Sequence, residues 1–334
     1  MSPGTGRTAA LYISLVAVVV ILALASLGAG RAPIPWLDIA PALWSREDSL
    51  AALIVQELRL PRTLLAVLVG ATLGLAGAAL QGLLRNPLAE PGVIGISSCA
   101  ALGAVAVFYS GLSQAFPLAL PLGGVTGALA AVSLLYMLAG RGESLLALVL
   151  AGVALNSLAG ALTALALNLS PNPFAAYEVF FWLLGSLGDR SMEHVRLALP
   201  LMLPGWLLLL STGRALDALT LGEDAAASLG FGIASVRNRV VLGSALSVGA
   251  AVAVSGVVGF VGLVVPHLLR PLVAHRPGAL LPASALGGAV LVLAADLVVR
   301  LLEGGQELKL GVVTALVGAP FFLYLVLHYR RRML

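Results

Sequence analysis

Ten separate apolar stretches, most of them close to the length that crosses roughly 30 Å of hydrocarbon, dominate this sequence and restrict it to a helical membrane bundle. They fall at about 9–27, 57–84, 93–109, 117–138, 145–167, 195–210, 236–254, 256–273, 280–302 and 308–327. Only 10% of the 334 residues are charged and 60% are hydrophobic, which excludes a soluble globular domain and a disordered chain. The fold class expected is all-α, a single polytopic transmembrane domain over 1–334.

The first stretch follows a lone early Arg7 and has two readings, a signal peptide or a retained span. Its apolar run exceeds an ordinary signal core, so the retained span is favoured. The segment behind it holds Pro33, Pro35, Pro41, Trp36 and Trp44, a composition suited to the membrane surface. In the second stretch Gly70, Gly74 and Ala78 form a stripe of small residues that invites close helix contact, with Gln81 on the same general face. The prolines and glycines of 85–95 then break the helix. Aromatic residues Tyr177, Phe180, Phe181 and Trp182 in the long connection 168–192 predict a short interfacial helix, at a pore mouth or in an aromatic belt.

One interruption differs from the rest. Residues 220–233 are small and amphipathic, with Gly222, Glu223 and Asp224 as a start signal and Gly230 and Gly232 as a stop signal. A short surface helix is expected there, read by something outside the bilayer.

Ten spans put both termini on one side. With the N-terminus inside, eleven of the nineteen basic residues lie on the cytoplasmic side, with Arg330, Arg331 and Arg332 as the strongest cluster. The orientation is therefore N-in and C-in. Basic residues scattered at span ends form no continuous basic face, which argues against nucleic acid as a partner. Arg59, Arg62 and Arg300 are the exceptions that need explaining, because the outer surface should be poor in arginine. Two accounts stand: anchoring or local pairing, for which Asp296 and Arg300 are one helical turn apart, and an exposed basic rim that receives an acidic partner.

Chemistry inside the bundle is sparse. Asn156, Ser157, Thr163, His267, Asp296 and Thr314 are the intramembrane polar candidates, with no carboxylate pair for an ion relay. The single Cys99 excludes an internal disulfide, and no hydrolase, metalloprotease or nucleotide-loop motif is present. No catalytic residue, metal ligand or cofactor is expected in this chain. A quiet conduit for a bulky solute, with energy supplied elsewhere, fits best; the alternative is a secondary transporter of inverted repeats driven by an ion gradient.

Several segments in order resemble the permease subunits of bacterial type II ABC importers, the FecCD family that moves iron–siderophores, haem and cobalamin. They are Arg-Leu-Pro-Arg at 59–62, Gly-Ala-Thr-Leu-Gly-Leu-Ala-Gly at 70–77, Gln81, Arg-Asn-Pro-Leu-Ala-Glu-Pro-Gly-Val-Ile-Gly at 85–95 and Ala-Gly-Val-Ala-Leu at 151–155. The series continues at 182–187, 221–230, 256–270 and 311–323. The resemblance implies a homodimer in the inner membrane, two ABC ATPase subunits that bind ATP and Mg on the cytoplasmic face, and a periplasmic solute-binding protein. It makes Leu221, Gly222, Glu223, Asp224, Ala225, Ser228, Leu229 and Gly230 the segment that couples to the ATPase. It makes Arg59, Arg62 and Arg300 receivers of the binding protein's glutamates. By the same resemblance Asn86, Leu88, Ser144 and Leu145 stand at the cytoplasmic gate, although 141–144 departs from the gate sequences of cobalamin members, and Asn156 and Thr314 line the pathway. Haem or another iron chelate is the favoured cargo.

Overall fold

The computed structural model describes residues 3–30, 32–45, 49–92, 94–112, 119–139, 145–170, 172–302 and 308–333. The described residues form fourteen helices: α1 (Pro3–Gly28), α2 (Trp36–Trp44), α3 (Leu50–Leu84), α4 (Ile96–Tyr109), α5 (Ala119–Ala139), α6 (Leu145–Asn168), α7 (Pro173–Leu183), α8 (Met192–Leu210), α9 (Gly213–Leu219), α10 (Glu223–Ser228), α11 (Ile233–Ser255), α12 (Val261–Leu269), α13 (Pro277–Leu302) and α14 (Leu310–Met333). Seven are long and apolar enough to cross a membrane, and the shorter apolar helices α4, α12 with its following turn, and α14 bring the number to the ten expected. The chain is an all-α polytopic bundle.

α3 is the central member. Leu65, Ala66, Val69, Ala76, Ala79 and Leu80 are fully buried, and α13, α11, α12 and α8 pack around it. Lipid tails are as apolar as leucine, so close van der Waals contact rather than water exclusion holds such helices together. The stripe predicted on α3 provides that contact against α13. A Cβ on Gly74 would stand 2.0 Å from the Ser284 carbonyl oxygen, and one on Gly288 would stand 2.0 Å from the Gly70 carbonyl oxygen. Polar stitches cross the same region: Trp206 donates from Nε1 to Thr72 Oγ1 at 2.8 Å, and Ser26 and Thr63 share a hydrogen bond of 2.7 Å.

α1 lies at the edge, with Ile13, Ile21 and Leu24 more than half exposed, and it packs on α13. Tyr12 Oη donates to the Ala279 carbonyl at 2.9 Å. As expected from its composition, 36–44 is a surface helix, with Trp36 and Trp44 largely exposed. The short helix predicted in 168–192 is α7, capped by Asn172, which accepts from the Phe174 amide at 2.9 Å.

Three expectations need correction. The second span begins earlier than residue 57, running back to Leu50 through a π-helical turn at Ile54–Arg59. The stretch 256–273 is not one helix. Gly256 and Phe260 both have positive φ, at 69° and 67°, and α12 starts only at Val261. The surface helix expected over 220–233 is confined to six residues, because Gly222 and Gly230 take φ of 109° and 86° and close it at both ends.

Gly74→Val is expected to lower the thermal unfolding midpoint of the purified chain, since overpacking a close contact costs about 1–3 kcal/mol or more. Gly82→Ala, whose new Cβ meets only the flexible Leu216 side chain at 3.3 Å, is the comparison expected to stay close to wild type.

Candidate functional site

The outer end of the bundle is organised by one carboxylate. Asp296 on α13 is 1% exposed and receives two arginines. Arg62 of α3 donates from Nε to Oδ1 at 2.9 Å and places Nη2 2.9 Å from the same oxygen. Arg300, one turn along α13, donates from Nε to Oδ2 at 2.8 Å, with Nη2 2.7 Å away.

These arginines also reach the end of α1. The last four carbonyls of a helix have no intrahelical partner and are costly to leave unpaired away from water. In α1 all four are satisfied: Ala25 by the Ala29 amide at 2.9 Å, Ser26 by Arg300 Nη1 at 2.8 Å, and Leu27 and Gly28 by Arg59 Nη1 at 2.8 and 2.9 Å. Arg59 continues to the Ala32 carbonyl through Nη2. The three arginines are therefore not a free exposed rim: Arg59 is 5% exposed, and the Arg62 and Arg300 side chains are 15% and 5% exposed. The i, i+4 pairing of Asp296 and Arg300 was readable in sequence, whereas Arg62 and the α1 carbonyls were not.

At the opposite end, α10 stands out from the bundle. Leu221 and Leu229 are 72% and 62% exposed, while Ala226 is fully buried beneath them. Its C-terminus closes as a Schellman motif: the Phe231 amide donates to Ala226 at 3.1 Å and the Gly230 amide to Ala227 at 2.9 Å, with left-handed Gly230 between. Ser228 Oγ donates back to the Asp224 carbonyl at 2.9 Å. Ala225 is partly buried and Asp224 is exposed. Glu223 lies 3.9 Å from Arg85 Nη2, and Arg85 is the left-handed C-cap of α3. The predicted coupling segment thus touches the end of the central helix.

The connection after α3 is a built turn. Asn86 Oδ1 accepts from the Leu88 amide at 2.9 Å and the Asn86 carbonyl accepts from Ala89 at 3.2 Å, so this side chain shapes the loop while remaining exposed; Leu88 is half-buried. Burial pushes the Glu90 carboxyl above its ordinary range, and a hydrogen bond from the Phe260 backbone opposes that shift. Leu145 is the first residue of α6, and Ser144 lies outside the described residues.

Both predicted lining residues are engaged within the subunit. Asn156 Oδ1 accepts from Ser98 Oγ, joining α6 to α4, and Thr314, 3% exposed, donates to the Gly311 carbonyl at 3.1 Å. Sequence reasoning noticed Gln81 without a role. Its amide donates to the Gly262 carbonyl at 3.1 Å and its oxygen accepts from Arg270, which ties the short α12 to α3. His267 stacks edge-on to Phe321 at 5.6 Å, joining α12 to α14. Among the described residues no group of acidic, histidine or cysteine side chains is arranged to hold a metal ion.

A ten-helix apolar bundle with an exposed surface helix at one end and a charged clasp at the other defines a multi-pass membrane transport subunit. The profile of the FecCD transport family matches residues 18–328, and the chain belongs to that family of ABC transporter permeases. It is 40% identical over 329 residues to the hemin transport system permease protein HmuU of Yersinia pestis, covering 95% of each chain. It is 45% identical over 297 residues to the vitamin B12 import system permease protein BtuC of Vibrio cholerae, covering 88% of this chain and 87% of that one. A solved inward-facing structure assigned as a metal-chelate type ABC transporter superposes with a TM-score of 0.84 at 34% identity, covering 95% of this chain and 98% of that one.

Asp296→Ala should lower the thermal midpoint sharply, since removing one partner of a buried ion pair costs about 3–5 kcal/mol. Asp38→Ala, on the exposed face of α2, is expected to leave the melt unchanged; equal melts for the two variants would show that the clasp contributes nothing.

Proposed function

We propose that this chain is the permease subunit of an ATP-binding-cassette importer that carries a bulky chelate, haem, an iron–siderophore or cobalamin, across the bacterial inner membrane. The observation that carries the reading is α10. Leu221 and Leu229, exposed in the turns that flank this short extramembrane helix, present apolar surface that a partner would cover, and the helix is closed at both ends by Gly222 and Gly230 in conformations that other residues adopt at a cost. The partner is an ATPase subunit with its own ATP and Mg, seated on Leu221 to Gly230.

The remaining parts follow the family. A second copy would cover the apolar faces of α6 and α14, where Leu150, Leu158, Leu316 and Leu323 are exposed. The pathway would run between the copies, closed on the cytoplasmic side by Asn86, Leu88, Ser144 and Leu145 and lined by Asn156 and Thr314. Haem or another iron chelate is the favoured cargo on family grounds, and the haem and cobalamin relatives stand at similar identity. Family membership supports this reading over transport driven by an ion gradient.

ATP binding can shift the bundle only by binding its two conformations with different affinity. Closure of the ATPase dimer would draw the two α10 helices together and rearrange the gates. Leu221→Asp combined with Leu229→Asp is expected to abolish cargo-stimulated ATP hydrolysis and uptake in vesicles while membrane insertion and the melt stay at wild-type levels. Uptake unchanged in this variant would sink the assignment of α10.

Docking of a periplasmic binding protein at the outer end is proposed on net charge. Two guanidiniums share the Asp296 carboxylate and a third, Arg59, bonds only neutral carbonyls, so the three arginines and one carboxylate leave the clasp positive. Arg62, the most exposed, would meet an acidic side chain first. Raising ionic strength from about 0.1 M to about 1 M shortens the Debye length from about 10 Å to about 3 Å, and affinity for the binding protein should fall accordingly; affinity independent of salt would refute the charge-based contact.

A further inference from the structure

At the end of the bundle that carries α10, a cavity of about 560 Å³ opens between α1, α9 and the start of α13. Tyr12, Leu210, Arg214, Asp217 and Arg276 are among its walls. The arginine tally places this end at the cytoplasmic surface of the membrane. Its two guanidiniums are available to a ligand in different degrees. Arg214 is exposed, and Arg276 reaches Asp217 only at 3.7 Å with 69% of its side chain open. Asp217 is shared between two partners, its Oδ1 accepting from the Gly278 amide at 2.7 Å and its Oδ2 facing Arg276. Two arginines against one aspartate leave the cavity positive, and exposed Arg7 and His275 flank it with no further acid among the walls.

The apolar side is equally specific. α1 turns Ile13, Val20, Ile21 and Leu24 outward, 51–70% exposed, and the cavity lies at the foot of that stripe. Leu207 and Leu272, 69% and 55% exposed, extend it on α8 and the turn after α12. Tyr12 sits at the boundary with its hydroxyl committed to Ala279. A phosphate on basic side chains with two acyl chains along an outward apolar helix is the outline of a phospholipid, and basic pockets between helices on the cytoplasmic side select anionic headgroups. A zwitterionic lipid would bring an ammonium into a site that is already positive.

We propose that this cavity is a binding site for an anionic phospholipid of the inner leaflet, of the phosphatidylglycerol type, with Arg214 and Arg276 holding its phosphate and α1 its acyl chains. The lipid would join α1 to the α9–α10 segment from outside the subunit. The inference requires membrane placement only and stands whatever cargo or ATPase the chain serves.

The test is native mass spectrometry of the full chain, delipidated in detergent and titrated with phosphatidylglycerol, phosphatidylcholine or inorganic phosphate. Phosphatidylglycerol should bind in preference to phosphatidylcholine, and Arg214→Gln with Arg276→Gln should weaken it about twenty-five-fold, each arginine near an anionic surface contributing about fivefold. Arg214→Gln alone, a change at an exposed position, should give about fivefold should the double variant fail to fold. Arg239→Gln, exposed at the same end and away from the cavity, should bind as wild type. Equal binding of the two lipids, no loss in the arginine variants, or an equal loss in Arg239→Gln would overturn the site. Displacement of the lipid by inorganic phosphate at equal concentration would assign the arginines to a free anion and overturn the lipid.

Discussion

The end of α1 is the constraint around which the outer half of the molecule is arranged. A helix ending near the membrane surface beneath α2 leaves four carbonyls that water cannot reliably serve. The solution brings in Arg59 from α3, which bonds the carbonyls alone, and Arg300 from α13, whose charge is paired with Asp296; Arg62 completes the coordination of that carboxylate. Arginine suits this task where lysine would not, because one planar fork can bond a carboxylate on one edge and carbonyls on another. α1 is thus an integral member of the bundle, sharing Thr63, Ala279 and both arginine hydrogen-bond sets with its neighbours.

α3 carries this arrangement to the other end. Its middle is locked by backbone-close contact with α13, and its last turn holds the broken α12 through Gln81. The irregular segment 256–260 is served by other backbone at its two ends, the Gly256 amide donating to Val252 at 2.8 Å and the Phe260 carbonyl accepting from Val264 at 2.9 Å, and it is packed so closely that a Cβ on Gly256 would lie 2.2 Å from the Trp182 carbonyl oxygen. Irregular backbone inside a membrane protein survives where protein or a cavity surrounds it. The junction of 182–187, 255–258 and Gly311 meets that condition, with the Gly311 amide donating to Leu184 at 3.1 Å.

Sequence revealed what repeats or stays local. Apolar length gave the spans, the Gly70 and Gly74 spacing gave the close face, one helical turn gave Asp296 with Arg300, and Gly222 and Gly230 bounded the surface helix. What escaped depends on residues far apart in the chain, such as Arg59 with Leu27 or Gln81 with Arg270. The break at 256–260 escaped for a different reason. Val257, Val258 and Phe260 are apolar like a span, and hydropathy cannot distinguish an extended apolar segment from a helical one. The burial of the arginines escaped because a buried carbonyl acceptor has no signature in sequence.

The two ends of α3 differ in strength, and that difference bears on motion. Outside, a buried carboxylate with two arginines is expensive to open, on the order of several kcal/mol. Inside, Arg85 and Glu223 are 3.9 Å apart with side chains 50% and 37% exposed, a contact that solvent and salt reduce to at most about 1 kcal/mol. Beyond it, α10 has two glycines at its ends, few buried side chains and Ala226 as its one fully covered residue. A force applied at α10 therefore meets a weak tether first and a rigid helix behind it. Displacement should be taken up at Gly222, Gly230 and the 85–92 turn before the outer clasp yields, so the inner connections can change while the end that would face a binding protein keeps its shape.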